Sequence, residues 1–104
     1  TLGDLRDARG AVSRITVEEP IREYVTRLAV YTREQAQLGV SPRGSISLLR
    51  AAQASAVLNG RDYVIPDDVQ TEAWAVMPHR VRTGTPDRSG EDVVREALNT
   101  VAVE

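Results

Sequence analysis

A capped helix start near the middle of the chain constrains the fold more than any other feature of the sequence. Gly39 and Val40 lead into Ser41, Pro42 and Arg43. Serine is a good N-cap because its hydroxyl group can accept a hydrogen bond from an amide two or three residues on, and proline suits the first helical position because no backbone donor is missed there. The stretch therefore predicts a turn that ends one helix and begins another. We expect Gly39 to take a positive φ in this turn.

Arg43 falls at the second position of the helix that this turn begins. The free amides of a helix start carry a partial positive charge, so they and the guanidinium group together can hold an anion such as a phosphate group. The simpler interpretation is a solvated arginine, although its charge then lies at the unfavourable end of the helix dipole. Arg43 is thus the candidate binding residue, and Ser41, Pro42 and Gly44 are the candidate residues that build the helix start around it.

Apolar residues recur at spacings of three and four along most of the chain, which predicts an all-α fold, a small helical bundle of four to five helices. Asn59 and Gly60 are a typical helix stop, and Pro78 limits the helix before it. The links at 16–17 and 62–65 are predicted to be short extended pieces, and 79–88 is predicted to be a loop. The predicted helices cover about residues 3–14, 20–37, 45–59, 66–77 and 90–100.

Two predicted helix starts differ in their capping. Ser89 and Asp92 form a capping box before the last helix. Ile65 cannot cap the helix that begins at Pro66. We expect the acids Asp67–Asp68 to compensate partly by facing the helix dipole, at some cost in stability.

The composition excludes several classes of site. The chain has no cysteine and a single histidine, which argues against a disulfide framework, a thiolate metal site and a zinc site. The acid pairs Glu18–Glu19 and Asp67–Asp68 stand at helix starts, where the dipole favours acids, so they are interpreted as structural rather than as metal ligands. We therefore predict no metal site in this chain.

Charge and hydropathy bear on partners and compartment. The net charge is −2, and the arginines are interleaved with acids, which argues against binding to nucleic acid. No apolar run approaches the ~20 residues that span a bilayer, and no signal segment opens the chain. We predict no membrane insertion and a cytoplasmic location.

Catalysis by this chain alone is not predicted. His79 stands next to Arg80, but no serine, cysteine or acid is placed to complete a nucleophilic set. The chain also lacks a G-x-x-x-x-G-K-[ST] phosphate loop and an apolar strand ending in acids that could hold magnesium. We predict no catalytic residue here, and we expect Arg80 to pair either with an acid or with a neighbouring subdomain.

Several segments together resemble the C-terminal lid subdomain of the MoxR family of AAA+ ATPases, and they cover most of the chain. The segments are Leu38–Gly44, Leu48–Ala54, Gly60–Val69, His79–Arg80 and Ser89–Val94. In that family the arginine that matches Arg43 is the sensor 2 residue, which reaches from the lid to the terminal phosphate of ATP held by a separate, larger subdomain. The chain departs from the family pattern at Ile65, where threonine or serine usually caps the helix.

The resemblance implies a larger protein around this chain. Thr1–Leu5 read as the middle of a protein, so residues 1–104 are expected to be a single helical lid domain, a C-terminal fragment of an ATPase whose upstream core subdomain binds ATP and magnesium. The resemblance also implies a hexamer with contacts between neighbouring subunits. It further implies a chaperone-like role in protein complex maturation or metal insertion, often together with a von Willebrand factor A domain protein. Whether Arg43 acts on ATP affinity, on hydrolysis or on lid closure stays open.

A free-standing helical module that binds DNA or another protein is the alternative from a different functional class. The turn around Gly39 would then correspond to the corner of a helix-turn-helix. The helix after it offers only Arg43, Arg50 and Arg61 to phosphates, and its middle, Ala51–Ala56, has the composition of a buried segment. Charge therefore disfavours this alternative.

Overall fold

The structure, a computed structural model, describes residues 14–103. This part of the chain contains four α-helices, one short 3₁₀ helix and no β-strand, so the predicted all-α bundle is confirmed. The elements are α1, Glu19–Gln35; α2, Pro42–Leu58; α3, Pro66–Val76; the 3₁₀ helix, Pro78–Arg80; and α4, Gly90–Thr100. The predicted helix at about 3–14 lies outside the described residues, apart from Arg14, which is part of a turn.

The core lies between the four helices and is largely aliphatic. α2 packs on α3, and α1 packs on both α2 and α4. Tyr24 is fully buried, and its hydroxyl oxygen accepts a hydrogen bond from Gln70 Nε2 at 3.2 Å. Trp74 is 44% exposed and so lies at the surface of the bundle. The largest fully buried side chains are Tyr24, Leu28, Leu48, Met77, Val40, Val69, Val93, Val94 and Thr32.

α1 buries one face and lies close to its predicted position. Its buried residues recur at helical spacing from Ile21 to Thr32. The helix begins one residue before Pro20, with Glu19 at the positive end of its dipole. It ends two residues before the predicted bound, because the chain becomes extended at Ala36 with φ of −133°.

α2 begins where its local chemistry indicates. Ser41 caps it, its hydroxyl oxygen accepting a hydrogen bond from Gly44 N–H at 3.2 Å, which confirms the predicted N-cap. The helical conformation begins at Pro42 rather than at the predicted bound near Ser45. Past the end of the helix, Gly60 takes a φ of +75°, in the left-handed region that favours glycine.

The prediction of a positive φ at Gly39 is wrong. Within residues 14–103, only Gly60 and Gly84 have a positive φ. Glycine is required at position 39 for space, since a Cβ there would lie 2.4 Å from the backbone nitrogen of Arg33 and 2.5 Å from its Cα. The turn therefore packs directly against the last part of α1.

A buried ion pair joins α2, α3 and the link between them. Asp68, only 3% exposed, accepts hydrogen bonds from both terminal nitrogens of Arg61 at 2.6 and 2.7 Å and from Ser55 Oγ at 3.1 Å. It also accepts from the amide of Ile65 at 2.9 Å. Ile65 provides no side-chain cap, as predicted. The predicted role of Asp68, to face the helix dipole, is therefore incomplete. Its carboxylate also connects α2, α3 and the segment between them.

This network favours the charged form of Asp68. The hydrogen bonds from Arg61 lower the pKa of the carboxyl group below its ordinary value; burial opposes this effect, and the Ile65 amide and the Ser55 hydroxyl add to it. The folded pKa is therefore lower than the unfolded value of about 3.9. It follows that the stabilisation is complete above the unfolded pKa and is lost as the pH falls through the folded pKa.

Asp68→Asn is expected to lower the free energy of unfolding at neutral pH by about 1.5–3 kcal/mol, because the hydrogen bonds from Arg61 lose their charged acceptor. The deficit relative to the parent should shrink as the pH falls below about 4, since the parent then loses the same interaction. Urea denaturation of residues 1–104 at several pH values measures both effects. Asp67→Asn, at an exposed position in the same turn, is the control and should change stability by less than about 0.5 kcal/mol. A deficit that does not vary with pH would contradict this role for Asp68.

Ile65→Thr is expected to raise the free energy of unfolding by about 1 kcal/mol, because a hydroxyl group at the N-cap can accept a hydrogen bond from the first turn of α3. Ile65 is only partly buried, so little packing is lost. Thermal melts of the two proteins measure the difference. Ile65→Val, which also shortens the side chain but cannot cap, should show no gain. An unchanged or lower midpoint for the threonine variant would mean that the packing of Ile65 outweighs the cap.

Candidate functional site

Arg43 lies exposed at the second position of α2. Two amides of this turn are already bonded, since Gly44 N–H donates to Ser41 Oγ at 3.2 Å and Ser45 N–H donates to the Ser41 carbonyl oxygen at 3.0 Å. Pro42 has no amide hydrogen. Within residues 14–103, the amide of Arg43 has no acceptor. The start of α2 thus presents one free N–H donor and one guanidinium group to solvent, an arrangement that suits an anion.

The guanidinium group of Arg43 forms no ion pair within the described part of the chain. Its charge lies at the positive end of the α2 dipole, where a cation is destabilising unless an anion accompanies it. The ion pairs of residues 14–103 are made by other arginines: Arg27–Glu23, Arg61–Asp68, Arg88–Glu96 and Arg95–Asp92. Arg43 is therefore available to an anion from outside this region.

Val40, the residue before the N-cap, is bonded through both of its backbone polar groups to the end of α1. Its N–H donates to Thr32 Oγ1 at 3.0 Å, and its carbonyl oxygen accepts from Arg33 Nε at 2.7 Å. Thr32 is fully buried, and its hydroxyl group donates to the Ala29 carbonyl oxygen at 2.7 Å. These bonds determine where α2 begins and hence where Arg43 lies.

A short antiparallel bridge ties the same turn to the segment after the 3₁₀ helix. Leu38 N–H donates to the Arg82 carbonyl oxygen at 2.9 Å, and Arg82 N–H donates to the Leu38 carbonyl oxygen at 2.7 Å. The region 79–88, predicted to be a loop with at most a short extended piece, thus contains this bridge and the end of a 3₁₀ helix that was not predicted. The bridge brings the residues around Arg80 to the start of α2.

Gly44 is buried, and the side chain of Arg80 packs over it. A Cβ at position 44 would lie 2.9 Å from Arg80 Cδ and 2.8 Å from Val40 Cγ1. The absence of a side chain at Gly44 therefore lets the aliphatic part of Arg80 lie against the first turn of α2. The predicted supporting residues Ser41, Pro42 and Gly44 all belong to this turn, while the binding role of Arg43 stays a prediction.

Three contacts of this arrangement, made by Thr32, Arg33 and Arg80, are not predicted by the sequence pattern. Thr32 stands on the buried stripe of α1, and a polar residue at an apolar position is a signal that a buried hydrogen bond is present. Arg33 is an exposed residue of α1 but bonds to the Val40 carbonyl oxygen through Nε. Arg80 carries no such signal, since its contact with Gly44 joins residues that are far apart in the sequence.

Other candidate chemistries have weaker support. Residues 14–103 contain no group of three or more side chains that could hold a metal ion. His79 is exposed in the 3₁₀ helix, and Glu18 and Glu19 are exposed at the start of α1. The described helices include none that is long and apolar enough to cross a membrane.

A family model described as the AAA lid domain matches residues 28–98, a range that contains every residue of the site around Arg43. The chain belongs to the AAA lid domain family. The lid is of the MoxR type, so the resemblance of the sequence to MoxR lids is confirmed. Family membership thus favours a lid over a free-standing module that binds DNA or another protein. The small number of basic residues on α2 had already argued against that module.

The lid is similar to part of several longer proteins. It is 33% identical over 116 residues to the chaperone MoxR1 of Mycobacterium tuberculosis, an alignment that covers 97% of the lid and 31% of MoxR1. It is 43% identical over 98 residues to the uncharacterized protein YeaC of Bacillus subtilis, which covers 88% of the lid and 31% of YeaC. A solved structure from Cytophaga hutchinsonii, described as a candidate ATPase, matches 90% of the lid with a TM-score of 0.83 at 27% identity, and the lid covers 33% of that chain. The lid thus spans between 31% and 33% of the length of these three proteins.

Thr32→Val is expected to lower the free energy of unfolding of the lid by about 1–3 kcal/mol, because the isosteric side chain leaves the amide of Val40 buried without an acceptor. Urea denaturation of residues 1–104 measures the change. Thr26→Val is the matched control, since the hydroxyl group of Thr26 also bonds a carbonyl oxygen of α1 but at an exposed position. The control should stay within about 0.5 kcal/mol of the parent. Equal effects of the two substitutions would show that Thr32 contributes only as an ordinary helical threonine.

Proposed function

We propose that this lid senses the nucleotide bound by an AAA+ ATPase of the MoxR type. In this proposal residues 1–104 form one lid domain, and a P-loop core subdomain upstream of it binds ATP and magnesium. The difference in length supports the proposal, because the lid covers only 31% of MoxR1 and 33% of the Cytophaga chain. The lid itself contributes a charged contact, and the core contributes the hydrolysis site.

The observation that carries this proposal is the exposed guanidinium group of Arg43 at the start of α2, beside its own amide, which has no acceptor among residues 14–103. Bound ATP would supply a terminal phosphate, which ADP lacks. A contact that forms with ATP and is lost with ADP gives the two nucleotide states different lid positions, since a ligand shifts an equilibrium only by its difference in affinity for the two states. Arg43 is the residue of this lid that makes that contact, and Ser41, Pro42 and Gly44 hold it at the helix start.

The start of α2 is bonded to other parts of the bundle, so we expect a contact at Arg43 to move the lid as one body rather than only the first turn of α2. The bonds of Val40 to Thr32 and Arg33 fix the start of α2 to α1, and the Leu38–Arg82 bridge fixes it to the segment before α4. A force on Arg43 therefore acts on three parts of the bundle together. A domain that moves as one body around a bound ligand is a common form of nucleotide-dependent switch.

The face around Arg43 also suits a contact with a second protein surface. Ile46 lies one helical turn after Arg43, so the two side chains are neighbours on α2, and Ile46 is 55% exposed. Exposed apolar side chains next to a charged group are typical of surfaces that pack against a partner. We propose that this face lies against the core subdomain of the same ATPase.

The proposed assembly extends beyond the single subunit. Leu58 is 86% exposed and Trp74 is 44% exposed on other parts of the lid, and we assign such surfaces to neighbouring subunits of an oligomer, a hexamer in this proposal. MoxR1 is named a chaperone, which supports a chaperone-like role, and we propose that this role is in complex maturation or metal insertion. A von Willebrand factor A domain protein is the proposed partner, and the proposed compartment is the cytoplasm.

Arg43→Ala in the full-length protein is expected to reduce ATP turnover about tenfold or more, a loss of about 1.4 kcal/mol or more of transition-state stabilisation or lid closure. Because the side chain is exposed, its removal opens no cavity, and because it removes a cation from the positive end of the α2 dipole, the melting temperature of the lid should not fall. Steady-state hydrolysis and thermal melts together measure the two quantities.

Arg50→Ala is the matched control for this experiment. Arg50 is also exposed on α2, about two turns further from the helix start, and its loss removes the same charge without touching the site. Turnover of the control should stay near that of the parent. A folded Arg43→Ala protein that hydrolyses ATP at the parental rate would overturn the sensing role.

A further inference from the structure

We propose that Arg80 is a second phosphate-contacting residue of this lid and acts on the same nucleotide as Arg43. The inference rests on the proposed sensing role of Arg43 and goes beyond it by adding a residue from another element of the fold. Arg80 is the last residue of the 3₁₀ helix and is exposed. Its side chain nevertheless leads to the first turn of α2.

The contact between Arg80 and Gly44 places the second guanidinium group. Arg80 Cδ lies 2.9 Å, and Arg80 Nε lies 3.7 Å, from the position that a Cβ on Gly44 would occupy. Since Nε belongs to the guanidinium group, the charge of Arg80 lies beside the residue that follows Arg43. The guanidinium group of Arg80 thus lies at the start of the helix that carries Arg43 at its second position.

The electrostatics of this arrangement favour an external anion. Within residues 14–103, Arg80 forms no ion pair, and its guanidinium group has no hydrogen-bond acceptor. Both arginines lie at the positive end of the α2 dipole, which disfavours cations. Arg33 adds a third guanidinium group near the same turn, and within residues 14–103 it bonds only through Nε, to the Val40 carbonyl oxygen. Such a concentration of positive charge is stable when a multiply charged anion lies next to it.

A phosphate group of the nucleotide matches these donors. A phosphoryl group offers several charged oxygens and can accept from more than one arginine fork at once. Arg43 extends from α2 and Arg80 from the segment between α3 and α4, so one phosphate contacted by both would join the two sides of the bundle. The pair then distinguishes ATP from ADP more strongly than one arginine alone.

The test measures affinity for ATP and for ADP, each with magnesium, in the full-length protein. Arg80→Gln is the main variant because glutamine keeps part of the aliphatic stem over Gly44 and removes the charge. We expect its ATP affinity to fall about tenfold, with a much smaller change for ADP. Arg80→Lys should recover part of the loss, because the charge returns without the fork. Arg82→Ala, an exposed arginine of the same segment whose bonds to Leu38 are made by the backbone, is the matched control and should behave as the parent.

The double variant Arg43→Ala with Arg80→Gln decides whether the two residues share one anion. Residues that contact one group are expected to be non-additive, so the loss in the double variant should be smaller than the product of the single losses. Equal losses for ATP and ADP, or losses that multiply, would overturn the inference and give Arg80 a structural role. Parental affinities for Arg80→Gln alongside a defect in Arg43→Ala would overturn it and leave the sensing role intact. Parental affinities of both single variants would also overturn the inference, while the sensing role of Arg43 is decided separately by the ATP turnover of Arg43→Ala.

Discussion

The two hydrogen bonds that hold Val40 to the end of α1 are the constraint on which the rest of the structure depends. The bond to Thr32 is buried, and a buried amide without an acceptor would be destabilising by an amount comparable to a large part of a domain's stability. The turn therefore has little freedom to take another conformation. Since Ser41 follows Val40 directly, these bonds also set the position and direction of the first turn of α2.

A second polar anchor lies at the other end of α2. The carboxylate of Asp68 holds Arg61, Ser55 and the amide of Ile65, and so joins the last turns of α2 to the first turn of α3. Between the two anchors, small buried residues such as Ala52 and Ala56 let α3 approach α2 closely. A helix fixed at both ends and packed along its length transmits a displacement at its start to the whole bundle. This property suits a lid whose position reports the state of a nucleotide.

The arginines of the described chain differ in whether they are paired with acids. Arg61, Arg88 and Arg95 are paired with acids and stabilise the bundle or its surface. Arg43 stands in the first turn of α2 and Arg80 packs against that turn, where the dipole disfavours cations, and neither forms an ion pair within the described residues. Charges that weaken the isolated domain are therefore gathered at the place where an external anion is proposed to bind.

The sequence by itself determined the all-α class, the caps of α2 and α4, the helix stop at Gly60 and the family of the chain. These features depend on residues three or four positions apart, and such local hydrogen bonds and helical periodicity can be recognised from residue type and spacing. Only the tertiary structure decided that Gly39 is needed for close packing rather than for a positive φ, that Asp68 is the centre of a buried network, and that Arg80 lies over Gly44. The physical reason is that these contacts depend on how the helices cross, which residue spacing does not specify, so residues far apart in the sequence became neighbours only when the bundle closed.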